Sequence, residues 1–191
     1  MNARTALAAA LLFLAASATA CTAETGHTDA KAPAKTKPHA PAPPAKPLKI
    51  GTAHHWSDTD TDGTHISGTT SVIGYTQPAK GVDMPDSVSD FPHPVWTILE
   101  VKVCPDDTSS TVMVSQTPWN LGFADDTRLA APLISGAGVP KPEYPVNGAA
   151  VKPGTCLRGK ILFSVDRGTR PTRVVYARDG GDPVEWTVPK A

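Results

Sequence analysis

Apolar and polar side chains alternate along much of the second half of the chain. Ile161, Phe163 and Val165 alternate with Lys160, Leu162 and Ser164, and Val184, Trp186 and Val188 alternate with Glu185 and Thr187. Leu99, Val101 and Val103 alternate with Glu100 and Lys102, in a run that starts near Val95. A period of two sends successive side chains to opposite faces of a strand. Weaker strand signals lie at 50–56, 66–75, 111–115, 121–124 and 173–177, and turn formers such as Asp62-Gly63 and Pro153-Gly154 separate them. No stretch sustains a helical period. About seven to eight short strands over residues 49–191 predict an all-β domain, an antiparallel β-sandwich. That length suffices for one core, burying roughly 68% of the unfolded chain's surface.

The first 48 residues read differently. Residues 1–20 have the parts of an export signal: Arg4, an apolar segment over 7–18 with Leu11, Leu12, Phe13 and Leu14, and the small residues Ala18-Thr19-Ala20. Residues 21–48 form a linker. Its 31–47 stretch holds proline, alanine and lysine and no large apolar side chain, so it cannot offset its ordering entropy and is expected to be a disordered tether of polyproline II character. Its four lysines suit a solvated spacer beside an anionic surface.

Small residues followed by Cys21 resemble the bacterial lipobox, in which the cysteine is diacylated and becomes the mature N-terminus; Ala18 stands where leucine is usual. The same Ala-x-Ala suits an ordinary signal peptidase, and both enzymes would cut before Cys21. The reading followed is a lipoprotein held to the membrane through Cys21; the alternative is a released, secreted protein. The chain has three cysteines, and an odd number in an exported protein leaves one over. With Cys21 lipidated, Cys104 and Cys156 are left to form a disulfide in an oxidising compartment, or to remain as two buried free thiols.

Composition narrows the function. Eighteen basic residues balance eighteen acidic ones, which excludes the basic footprint of a nucleic-acid binder. The tether is basic and residues 49–191 are mildly acidic. Beyond the export signal there is no apolar run of membrane-spanning length.

The run from Val151 through Pro153-Gly154, Cys156, Gly159, Ile161, Phe163 and Val165 carries a resemblance, as do Arg170-Pro171, Val174 and Tyr176 and the C-terminal Val184, Trp186 and Val188. In this order they resemble actinobacterial lipoproteins with an immunoglobulin-like domain of unknown function, which are similar to a mycobacterial immunoprotective extracellular antigen. The resemblance covers about residues 49–190, with the two cysteines and the proline-rich 140–145 segment. It implies an immunoglobulin-like β-sandwich and assigns no reaction.

Catalytic signatures are absent: no Gly-x-Ser-x-Gly, His-Glu-x-x-His, Cys-x-x-Cys or phosphate-binding glycine loop occurs. His93, between Pro92 and Pro94, reads as a loop residue. The sharpest local feature is Asp58, Asp60 and Asp62 before Gly63, with His54, His55 and His65 nearby. Alternate carboxylates before a glycine can present hard oxygen ligands to calcium, but Thr69 stands where the bidentate glutamate of an EF-hand belongs. A polar hairpin tip is the plainer reading. His54 and His55 fall on opposite faces of a strand, which disfavours a transition-metal site. Asp106-Asp107 and Asp125-Asp126 read as turn caps. Of four tryptophans, Trp96 and Trp186 are expected in the core, and Trp119, after Pro118, is the candidate for an exposed aromatic contact.

Taken together, the residues point to a non-catalytic cell-envelope lipoprotein with a binding or structural role. Its partners are the membrane, through the Cys21 lipid, and an envelope protein or cell-wall ligand; no cofactor is expected. The alternatives are a calcium- or metal-dependent extracellular module and, more distantly, an envelope hydrolase.

Overall fold

The computed structural model describes residues 46–178 and 181–190. The export signal, Cys21 and most of the linker lie outside them. The strands are β1 (Leu48–Lys49), β2 (Ala53–Thr59), β3 (His65–Thr76), β4 (Pro94–Pro105), β5 (Val112–Val114), β6 (Trp119–Gly122), β7 (Arg128–Ala130), β8 (Ala149–Val151), β9 (Leu157–Asp166), β10 (Arg173–Tyr176) and β11 (Val184–Thr187). Seven of the eleven have four residues or more, in line with the seven to eight expected. Among the described residues the helical structure is a single 3₁₀ turn at Asp86–Val88.

One sheet runs β1-β11-β10-β6-β7, a second runs β2-β3-β4-β9, and β5 pairs with β8. All ladders are antiparallel except β1 with β11, where Leu48 lies beside Trp186. Leu48, assigned by sequence to the linker, therefore belongs to the domain. A two-residue strand is too short to show a period.

The alternation read from the sequence sets the core. Leu99, Val101 and Val103 of β4 and Ile161, Phe163 and Val165 of β9 are fully buried, and they join one cluster with Leu121, Val174 and Trp186 of the facing sheet. Each such side chain contributes roughly 1.5–3 kcal/mol by leaving water. The same parity corrects Trp96. It precedes the buried Thr97, so it falls on the outer face of β4 and is only half-buried.

Leu162 also points to that outer face, yet it is buried and stands apart from the main cluster. Two loops account for this. The 77–93 loop holds the edge of β4 through Ala79 N–H to Trp96 C=O, and the 131–143 segment lies along β9, where Lys160 N–H donates to Pro142 C=O. The loops meet where Asp83 N–H donates to Gly138 C=O at 3.4 Å. To touch, they must cross the outer face of the sheet.

Candidate functional site

Trp119 is not exposed. The first residue of β6, it has no solvent-accessible surface, and its ring centroid lies 4.6 Å from Tyr176, 6.2 Å from Trp186 and 6.4 Å edge-on from Tyr144. Trp119, Tyr176 and Trp186 belong to one sheet, and Tyr144, whose N–H bonds to Lys160 of β9, meets them from the other. Burial raises the hydroxyl pKa of Tyr144 and Tyr176, with the Tyr176 charge adding to the effect at Tyr144. The expectation of a surface tryptophan is overturned, because β6 lies between β10 and β7 and its first side chain faces the core. Trp56 is buried as well, its indole N–H donating to Thr70 Oγ1 at 2.9 Å.

The aromatic surface that does open to solvent is built by two phenylalanines that the sequence did not single out. Three turns meet at one end of the sandwich: 89–93 before β4, 123–127 between β6 and β7, and 166–170 between β9 and β10. Between them lies a mainly apolar crevice of about 430 Å³ lined by Phe91, Phe123 and Leu129, with Arg128, Arg170 and Asp125 among its polar residues. Each wall is held locally. Phe91 N–H donates to Ser89 Oγ at 3.0 Å. Phe123 N–H donates to Thr127 C=O at 3.0 Å, and Asp126 turns the chain with φ 64°. Arg170 donates twice to Pro189 C=O and lies 5.5 Å over the Tyr75 ring.

The threonine hydroxyls of the crevice are committed: Thr127 donates to Asp125 at 2.7 Å, and Thr169 to the Asp166 carbonyl at 2.7 Å. The bonds from Thr127 lower the Asp125 pKa and keep that carboxylate charged. General acid–base work needs a group poised near neutrality beside a reacting atom. The lining residues include no histidine, cysteine or serine.

Asp58, Asp60 and Asp62 do lie at a hairpin end. Asp60 N–H donates to Thr64 C=O at 2.8 Å, and Gly63, at φ 84°, completes the turn. Each carboxylate accepts a nearby backbone N–H: Asp58 from Thr59, Asp60 from Thr61 and Asp62 from Thr64. Among the described residues, no group of three or more acidic, histidine or cysteine side chains converges on a point where a metal could sit. His54 and His55 diverge as the strand period requires, and His55 Nε2 lies 2.8 Å from Asp106 Oδ2. Asp125 serves its turn through Thr127, and His93 is exposed.

Cys104 and Cys156 are joined by a disulfide, with Cα atoms 4.2 Å apart. The bridge ties the end of β4 to the start of β9, one position beyond the Val103–Leu157 pair.

No family model matches the chain, and no curated protein matches it. Among solved structures, the crystal structure of MPT63, a secreted protein from Mycobacterium tuberculosis, superposes with a TM-score of 0.54 at 23% identity, over 75% of this chain and 99% of that one. The two-sheet topology, the core shared between sheets and this superposition together define an immunoglobulin-like β-sandwich.

Proposed function

We propose that the chain is an exported, lipid-anchored and non-catalytic module of the cell envelope, and that it holds an apolar group of an envelope protein or cell-wall ligand in the Phe91–Phe123 crevice. The observation that carries this reading is the crevice itself, an aromatic-walled opening whose hydroxyls are already bonded. Export is supported by the signal-like residues 1–20 and by likeness to a protein described as secreted. Anchoring rests on Cys21 after Ala18-Thr19-Ala20, since two acyl chains hold a membrane stably where one does so marginally.

Binding of the exported chain to purified cell walls and membrane fractions tests the reading. Phe91→Ala and Phe123→Ala should each weaken retention about tenfold, as removal of a buried aromatic anchor does. Intact-mass measurement after detergent extraction should find a diacylated Cys21. Retention unchanged in both folded variants would remove the crevice from the proposal, and an unlipidated chain found wholly in the medium would remove the anchor.

A further inference from the structure

The antiparallel ladder of β5 with β8 sets Val112 beside Val151, Met113 beside Ala150 and Val114 beside Ala149. Continued in the same register, it would set Gln116 beside Asn147. The ladder does not continue. Gln116 N–H donates to Pro145 C=O at 3.0 Å, and its side-chain amide donates to Tyr144 C=O at 2.8 Å. Two positions on one side, from Val114 to Gln116, therefore span four on the other, from Ala149 back to Pro145. The surplus residues, Val146, Asn147 and Gly148, are thrown out of the ladder as a bulge and left unpaired.

Asparagine is a thermolabile residue, and this one is exposed. Among the described residues, Gly148 N–H has no backbone acceptor. Gly148, at φ 96°, also carries no side chain to shield its nitrogen. Related positions elsewhere in the fold are held. Asn120 lies within β6 before Leu121, and its Nδ2 donates to Pro118 C=O at 3.1 Å. At the Asp62-Gly63 turn, Gly63 N–H donates to Asp60 C=O at 2.9 Å, and the Asp62 carboxylate accepts from Thr64 N–H.

We propose that Asn147 and Gly148 form a site of spontaneous self-modification that marks the age of the folded chain. The Gly148 nitrogen attacks the side-chain carbonyl carbon of Asn147 and closes a succinimide ring. The amide nitrogen leaves as ammonia, taking up the proton that the Gly148 nitrogen gives up. Water then adds to either imide carbonyl. Opening on one side gives aspartate; opening on the other routes the main chain through the former side chain and gives isoaspartate. Neither step needs an enzyme or a cofactor. Isoaspartate lengthens the main chain by a carbon between two fixed points, the Pro145 bond and the Ala149–Val114 pair. β5 and β8 supply Val112, Val114 and Val151 to the core, so this product loosens the ribbon from one side of it.

Peptide mapping of the purified full chain, incubated at neutral and at mildly alkaline pH beside a free peptide spanning residues 144–151, tests the site. The Asn147 amide should be lost from the folded chain over the same period as from the peptide. Loss should be faster at the higher pH, because the attacking nitrogen must shed its proton. The product should carry the mass of an acid in place of an amide and accept methyl groups from a protein isoaspartate methyltransferase. Asn120 should keep its amide, and Asn147→Gln should abolish the change, since the longer side chain closes its ring far more slowly. The isoaspartate form, separated by anion exchange, should unfold at a lower urea midpoint than Asn147→Asp, which has the same charge and an ordinary main chain. An Asn147 amide that survives while the peptide is converted, or equal loss at Asn120, overturns the proposal. Equal midpoints of the two acidic forms overturn the loosening of β8.

Discussion

The guanidinium of Arg178 lies 4.6 Å above the ring of Trp56 and 3.5 Å from the carboxylate of Asp58. Arg178 follows β10 of one sheet, whereas Trp56 and Asp58 belong to β2 of the other, so this contact fastens the sheets together along one side. A cation over an indole is worth about 0.5–1 kcal/mol when exposed and about 2 when desolvated. Arg178 is half-buried, and Arg178→Ala should cost about 1 kcal/mol, lowering the melting temperature by about 3–5 °C. Arg178→Lys should retain part of it. Thermal unfolding followed by tryptophan fluorescence decides, and an unaltered midpoint in the alanine variant would dismiss the stacking.

Trp119 is a stability residue, not a binding one. Trp119→Ala leaves a cavity between Tyr144, Tyr176 and Trp186 and should cost about 3–5 kcal/mol, a large part of a typical domain's stability. Trp119→Phe keeps an aromatic face in the site and should cost less. Urea denaturation ranks the two; a midpoint near the parent value for the alanine variant would contradict the packing described.

Replacing both Cys104 and Cys156 by serine frees a closed loop with a separation of 52 residues. Chain entropy sets the loss at about 4 kcal/mol, as an upper figure. The measured loss should be smaller, because the Val103–Leu157 pair already holds the ends together. Denaturation of the parent with and without reductant should reproduce the difference between parent and double variant.

Acid should destabilise the fold in two stages. Burial, and then the charge of His55, lower the pKa of His54 from 6.5, so the folded state prefers its neutral form. That contribution is complete above 6.5 and is lost as the pH falls through the lowered value. Asp106, held down first by its bond to His55 and then by Ser67, belongs to a second stage with Asp62 and Asp125. Their contribution is present above 3.8 and is lost as the pH falls through their lowered values. Urea midpoints of the dilute protein should fall in both windows. His54→Gln should flatten the upper stage and leave the lower; equal slopes in parent and variant would refute the assignment.

Calcium should not shift the melting temperature. A resident ion at 100 times its dissociation constant would add about 2.7 kcal/mol, which is several degrees for a domain of this size. The carboxylates of Asp58, Asp60 and Asp62 instead accept bonds from their own turn. Scans in chelator and in millimolar calcium should coincide, with Asp60→Ala as control. A rise that the variant abolishes would restore the calcium site.

The legible parts of the fold were those where one local rule decides. Val101 and Val103 against Lys102, or Ile161 and Phe163 against Lys160, declare a strand and its buried face because the core rewards every second residue. Leu48, Arg128 and Ala150 carry no such signal: their strands have two or three residues, and Leu48 and Ala150 find their partners far along the chain, in β11 and β5. Exposure of the aromatic residues was the least legible property. Trp119 follows a proline and reads as a loop residue, yet β10 and β7 enclose its strand. Phe91 and Phe123 sit in short polar turns 32 positions apart, and only the meeting of those turns makes a surface of them.

The β1–β11 clasp has a mechanical consequence. The linker reaches the body through Leu48 and Lys49, each set beside one residue of the last strand, and beyond them the Trp186 indole N–H holds the Thr52 carbonyl at 2.9 Å. Force drawn along the linker is borne by this small set of bonds before it reaches the Trp56 and Val72 layer. Under the anchoring proposed at Cys21, the clasp would be a fuse in series with the sandwich, with β1 the first strand to strip and the core closed behind it.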